Sequence, residues 1–165
     1  MLNVEAVWAK IEAFTAYQVI AAEMQVRGRF AIALNDPEPY ATLHNIATTP
    51  LLPGAPRLQS IAEGVVNKGN FGAVRTIDPE PPGPDDGIME LKKRFLFFQA
   101  NNFTLKGQVE FPIAADPTLH REMLFKSKFF PVVEASITVV GAEMQPLTWP
   151  RCYVNRDHMV GIYLG

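Results

Sequence analysis

Phe103-Thr104-Leu105-Lys106-Gly107-Gln108-Val109-Glu110-Phe111 is the stretch that decides the fold class. Phe103, Leu105, Val109 and Phe111 recur at every second position, with Thr104, Lys106, Gln108 and Glu110 between them. Successive side chains of a strand point to opposite faces, so this alternation reads as a strand with one face in a core and one in water. Working outward, Val133, Ala135, Ile137 and Val139 repeat the pattern, and Val160, Ile162 and Leu164 repeat it at the end of the chain. The expected fold is mainly β: an antiparallel β-sandwich, jelly-roll-like or lectin-like, over residues 29–165, with one N-terminal α-helix over residues 1–28.

The helix is read from Val4, Val7, Trp8, Ile11, Phe14 and Tyr17, which recur at three- and four-residue spacing. Asn3 is the expected N-cap and Gly28 the expected stop. An apolar stripe carrying this many aromatic side chains is a candidate interface, because such residues are enriched where proteins meet. Between the regular elements lie proline-punctuated stretches. Residues 35–62 contain Pro37, Pro39, Pro50, Pro53 and Pro56, and residues 78–87 contain Pro79, Pro81, Pro82 and Pro84. Proline cannot donate to a ladder, so both stretches are expected as long loops.

Other elements follow from the same logic. Arg29–Leu34 is expected as a short strand, and a hairpin is expected around Asn67-Lys68-Gly69-Asn70. Over Ile88–Ala100, Met89, Leu91, Phe95 and Phe97 share one strand face, although the same residues could begin a helix; the strand is favoured by Asn101-Asn102, a pair that tolerates the positive φ of a tight turn. Met123–Phe130 and Val132–Val140 are expected as strands. Gly141–Pro150 is expected as a loop, and a closing hairpin turns at Arg156-Asp157-His158. No repeat of constant period is visible.

The chain has 165 residues, 48% hydrophobic and 19% charged. That length suits one domain with a core that needs no disulfide. The charged fraction is below the roughly 25% of ordinary soluble domains, which points to surface covered by something else. A formal charge of −2 gives no general attraction to phosphate or anionic lipid, so nucleic acid and membrane surfaces are disfavoured as partners. Glu5, Lys10 and Glu12 interrupt any secretory leader, and no apolar run reaches the roughly 18 to 20 residues that span a bilayer. The expected location is a virion or a cytoplasmic assembly.

The search for chemistry finds no constellation. Cys152 has no partner cysteine and reads as a packed thiol. His44, His120 and His158 stand apart, without the paired spacing of a local metal site. No serine lies in a G-x-S-x-G elbow. Asp85, Asp86 and Glu80 could offer oxygen ligands, but their spacing matches no EF-hand, and a solvated acidic loop is the simpler reading. Lys92-Lys93-Arg94 reads as solvent-facing charge that protects an edge. No cofactor, metal or catalytic residue is assigned.

The runs Gly107-Gln108-Val109-Glu110-Phe111-Pro112 and Phe129-Phe130-Pro131-Val132-Val133-Glu134-Ala135-Ser136-Ile137 resemble the pattern of H-type-lectin-like sandwiches of bacteriophage fibres. The resemblance covers about a third of the chain. It departs at the closing segment, where Val160-Gly161-Ile162-Tyr163 replaces the usual Gly-Phe, so no ligand residues are carried over. It implies a protein of a virion or another assembled particle. The expected function is therefore a non-enzymatic structural subunit that contacts copies of itself and other assembly proteins. A carbohydrate- or receptor-binding module, with Trp149, Tyr153 and Tyr163 as stacking platforms for a glycan, is the alternative. A small-molecule-binding barrel comes third.

Overall fold

A computed structural model describes residues 4–80, 87 and 89–165. The chain is mainly β and antiparallel, and it divides into two compact units, Met1–Glu80 and Pro81–Gly165. The first holds β1 (Ala6–Phe14), β2 (Gln18–Arg27), the short helix α1 (Phe30–Asn35), β3 (Tyr40–Pro50), β4 (Ile61–Asn67) and β5 (Ala73–Thr76). The second holds β6 (Leu91–Gln99), β7 (Phe103–Pro112), α2 (His120–Leu124), β8 (Phe129–Val139), β9 (Leu147–Asn155) and β10 (Gly161–Leu164).

The expected N-terminal helix over 1–28 is a β-hairpin instead. Ala6 opposes Arg27 and Phe14 opposes Val19. Ile11 and Ala13 on β1, and Ile20, Ala22, Met24 and Val26 on β2, are buried at alternate positions, a period of two that the three-to-four spacing had masked. The turn carries no Gly, Pro or Asn. Thr15 builds it: its hydroxyl donates to the Gln18 carbonyl at 2.9 Å and accepts from the Tyr17 and Gln18 amides at 3.3 and 3.2 Å. Gly28, at φ 76°, ends β2. Arg29–Leu34, expected as a strand, turns into α1, whose first amide is capped by Glu80 Oε1 at 2.9 Å from Phe30 N.

The loop expected over 35–62 contains a long strand and the start of another. β3 occupies 40–50, with Pro50 at its end, where a missing donor costs the ladder little. The residues between α1 and β3 and the segment after β3 are irregular, and buried Thr48 pins the latter, accepting from Leu58 N at 2.8 Å and donating to the Pro56 carbonyl at 3.1 Å. The loop expected over 78–87 falls largely outside the described residues, as do Asp85 and Asp86. In the second unit, α2 replaces part of the strand expected over 123–130, and β9 begins inside the loop expected over 141–150.

The two units have the same fold. Their strand orders are β5-β1-β2-β3-β4 and β10-β6-β7-β8-β9. In each, four strands follow one another as neighbours and the last returns to pair with the first. Each has a short helix between its second and third strands, and a 3₁₀ turn between its fourth and fifth. The registers match residue for residue. Ala6↔Arg27 corresponds to Leu91↔Pro112, Tyr40↔Asn67 to Phe129↔Asn155, Ile46↔Ile61 to Ala135↔Trp149, and Ala73↔Phe14 to Gly161↔Gln99.

Matching irregularities follow. The register slips between Ala21 and Glu23 opposite β3, and between Lys106 and Gln108 opposite β8. The extra residue is left-handed in both, Asn45 at φ 52° and Glu134 at φ 53°. It changes which parity faces inward: Ala41 and Leu43 give way to Ile46 and Thr48, and Phe130 and Val132 to Ala135 and Ile137. The alternation read from Val133 to Val139 therefore breaks at Glu134.

The 3₁₀ turns share a side-chain device. Asn67 Oδ1 accepts from Gly69 N at 2.8 Å and Asn155 Oδ1 from Asp157 N at 2.9 Å, each capping the turn that it opens. The next residue is basic. Lys68 N donates to the Pro39 carbonyl and Arg156 N to the Lys128 carbonyl, both at 2.8 Å. Their side chains reach back to the helix before the third strand: Lys68 Nζ donates to the Ala33 carbonyl at 2.9 Å and Asp36 Oδ1 at 2.6 Å, and an Arg156 guanidinium N–H donates to the Phe125 carbonyl. The expected hairpins at 67–70 and 156–158 do not form, because this turn sends the fifth strand to the first: β5 pairs with β1 and β10 with β6.

Candidate interaction surface

The outer face of the first unit carries its unusual side chains. Cross-strand register places Lys10, Glu23, His44 and Glu63 in one row over β1, β2, β3 and β4. Beside that row Trp8 lies flat on His44, ring centroids 3.7 Å apart and planes inclined by 16°. Arg75 on β5 donates to Glu12 on β1 at 2.7 Å. The stack leaves an aromatic surface flanked by charges of both signs, and aromatic side chains are enriched where proteins meet.

The residues named from the sequence separate by strand face and position. Val4, Val7, Trp8 and Tyr17 are exposed, whereas Ile11 and Phe14 belong to the core. A six-residue stripe along one helix is thus replaced by exposed side chains near the start of β1 and at its turn. Of the expected stacking platforms, Trp149 and Tyr153 are buried on β9, and Tyr163 on β10 is exposed. Trp149 faces inward because it opposes Ala135, a buried residue just past the bulge.

In the second unit the corresponding surface has different chemistry. Where Glu12 pairs with Arg75, Phe97 meets Tyr163, ring centroids 6.0 Å apart. Lys93 pairs with Glu134 at 3.6 Å, an exposed pair of little energetic weight. Lys92, Lys93 and Arg94 lie together on β6. Arg94 donates to the Gly165 carbonyl at 3.2 Å and faces Nδ1 of buried His120 at 3.2 Å. His120 lies flat on Phe111 with centroids 3.9 Å apart. An arginine can only donate, so in this contact Nδ1 is the acceptor.

Cys152 is fully buried. Asp116, at the start of the turn into α2, is held below the ordinary carboxylate range by the Thr118 amide and then the Thr118 hydroxyl, with His120 adding a smaller electrostatic pull. Among the described residues no group of three or more His, Cys, Asp or Glu is placed to hold a metal ion. No described helix is long and apolar enough to cross a membrane. No family model, curated protein or solved structure matches the chain.

Sequence reasoning missed the Trp8–His44 stack and the basic clamp of each 3₁₀ turn. A signal for the second was present: Val66-Asn67-Lys68 is echoed by Val154-Asn155-Arg156.

Proposed function

We propose that the chain is a non-enzymatic structural subunit of a larger assembly, a bacteriophage-type virion protein that contacts copies of itself and other assembly proteins. The observation that carries this reading is the exposure of Val4, Val7, Trp8 and Tyr17 on one unit. These side chains are 38–64% exposed, so a partner that covers them fully gains about half of the roughly 1.5–3 kcal/mol of complete burial for each. The low charged fraction supports the same reading, as does the resemblance of the β7 and β8 segments to phage-fibre sandwiches. The sandwich architecture, jelly-roll-like or lectin-like, enters this proposal only through that resemblance.

The glycan-binding alternative loses Trp149 and Tyr153, which are buried. The test is a double substitution, Val7→Ser with Tyr17→Ser, followed by light-scattering mass and far-UV circular dichroism. The expected result is a smaller mass than the unaltered chain with an unchanged spectrum. An unchanged mass would remove these side chains from any interface.

A further inference from the structure

Duplication gives the chain an internal control for which strands are meant to be covered. β4 and β9 hold the same place in their units, as do β5 and β10. Trp149 and Tyr153 of β9 are 2% and 5% exposed, but the corresponding Ile61 and Val65 of β4 are 38% and 66% exposed. Ala73 and Val74 of β5 are fully buried, but Gly161 and Ile162 of β10 are half-buried and Tyr163 is 58% exposed. One strand of each type is covered and one is open.

Both open strands are edges. Among the described residues β4 pairs with β3 alone and β10 with β6 alone, so each leaves one side of its backbone without a ladder. Edges of this kind can recruit further strands, and lysine, proline, a bulge or very short length limits this; β10 has four residues. β4, Ile61-Ala62-Glu63-Gly64-Val65-Val66-Asn67, has none of these. The charges differ in sign: β4 carries Glu63 and no cation, whereas β10 is uncharged and the part of β6 just beyond its end carries Lys92, Lys93 and Arg94, with Lys93 also near Glu134.

We propose that β4 of one chain pairs edge to edge with β10 of a second copy, joining copies head to tail. The proposal rests on the assembly reading and adds a contact to the one made by Val4, Val7, Trp8 and Tyr17. A backbone ladder would supply the missing hydrogen bonds, Ile61 and Val65 would be covered against Ile162 and Tyr163, and Glu63 would lie towards the basic edge. Because the two edges differ, the contact is heterologous. Each copy offers one edge of each type, so copies add into a ring or a filament. Pairing β4 with β4 would instead bring acidic edges together.

The test uses single cysteines at exposed positions, V65C and Y163C, with a short bis-maleimide; Cys152 is buried and does not compete. The expected result is a cross-linked dimer from the mixture of V65C and Y163C chains, none from either alone, and a ladder of multimers from the double variant. Substituting V65K should lower the mass below that of the unaltered chain with an unchanged far-UV spectrum. Cross-linking of V65C alone would overturn the proposal in favour of a symmetric contact. No cross-link from a chain whose mass still exceeds one copy would overturn it and leave the assembly reading standing. No cross-link from a chain that is monomeric throughout would overturn both.

Discussion

Replacing Lys68 with methionine tests whether the basic clamp holds the first unit together. The Lys68 side chain is 5% exposed, and its ammonium donates to the Ala33 carbonyl at 2.9 Å and to Asp36 at 2.6 Å, tying the end of α1 to the turn after β4. Methionine keeps the apolar stem in place and removes the charge. Hydrogen bonds from a charged donor contribute about 1.5–3 kcal/mol, and the Ala33 carbonyl loses its partner. Two effects offset part of this loss. The ammonium no longer has to be desolvated, and Asp36, 42% exposed, is rehydrated. The net is a loss of about 2 kcal/mol. Arg156, the corresponding residue, is 38% exposed, so Arg156→Met should cost under about 1 kcal/mol. Urea unfolding followed by circular dichroism measures both. A Lys68→Met chain as stable as the parent, or no less stable than Arg156→Met, would refute the clamp.

Other consequences follow from the paired units. A Cβ added at Gly107 would meet Val132 Cγ1 at 2.5 Å and the Val133 carbonyl at 3.1 Å, so Gly107→Ala should cost about 1–3 kcal/mol by overpacking; a neutral result in urea unfolding would contradict the packing. Glu134→Gly relieves a left-handed residue and loses only an exposed ion pair, so it should stabilise by up to about 1 kcal/mol. Asn45→Gly should change less, because asparagine tolerates that conformation; equal effects would count against strain at Glu134. Asp116 should titrate below its ordinary 3.8. A carboxyl depressed in the folded state adds stability above its unfolded pKa and loses it as pH falls through the folded value, so this contribution fades only in strong acid. Carbon-detected NMR should show the midpoint rising in Thr118→Val, since the hydroxyl donor is lost while the amide stays; an unmoved midpoint would deny that bond.

Legibility depended on which signals are local. β7 was readable because Phe103, Leu105, Val109 and Phe111 alternate without a break, and Gly107 fits that row because no side chain has room there. The β1–β2 hairpin was not, because Thr15 makes the turn with its hydroxyl and gives no Gly or Asn mark, while exposed Val7 and Trp8 add an apolar signal of helical spacing. β3 was hidden by flanking prolines that stand before it and at its end. The duplication leaves no constant period in the sequence, for a structural reason. Ala6 matches Leu91, but Tyr40 matches Phe129 and Ile61 matches Trp149, so the offset changes at the connections and no constant period survives. What the copies share is a backbone plan, met in one by Ala22 and Gly64 and in the other by Gly107 and Cys152. The exposed stack of Trp8 on His44 joins residues on different strands, a proximity that only the register creates.

A chain that works as one part of an assembly must exceed the mass of a single copy in solution. Sedimentation velocity of the unaltered chain across the micromolar range should show species at multiples of 18.3 kDa, growing with concentration as head-to-tail addition requires. A single monomeric boundary at every concentration, with no partner recruited, would contradict it.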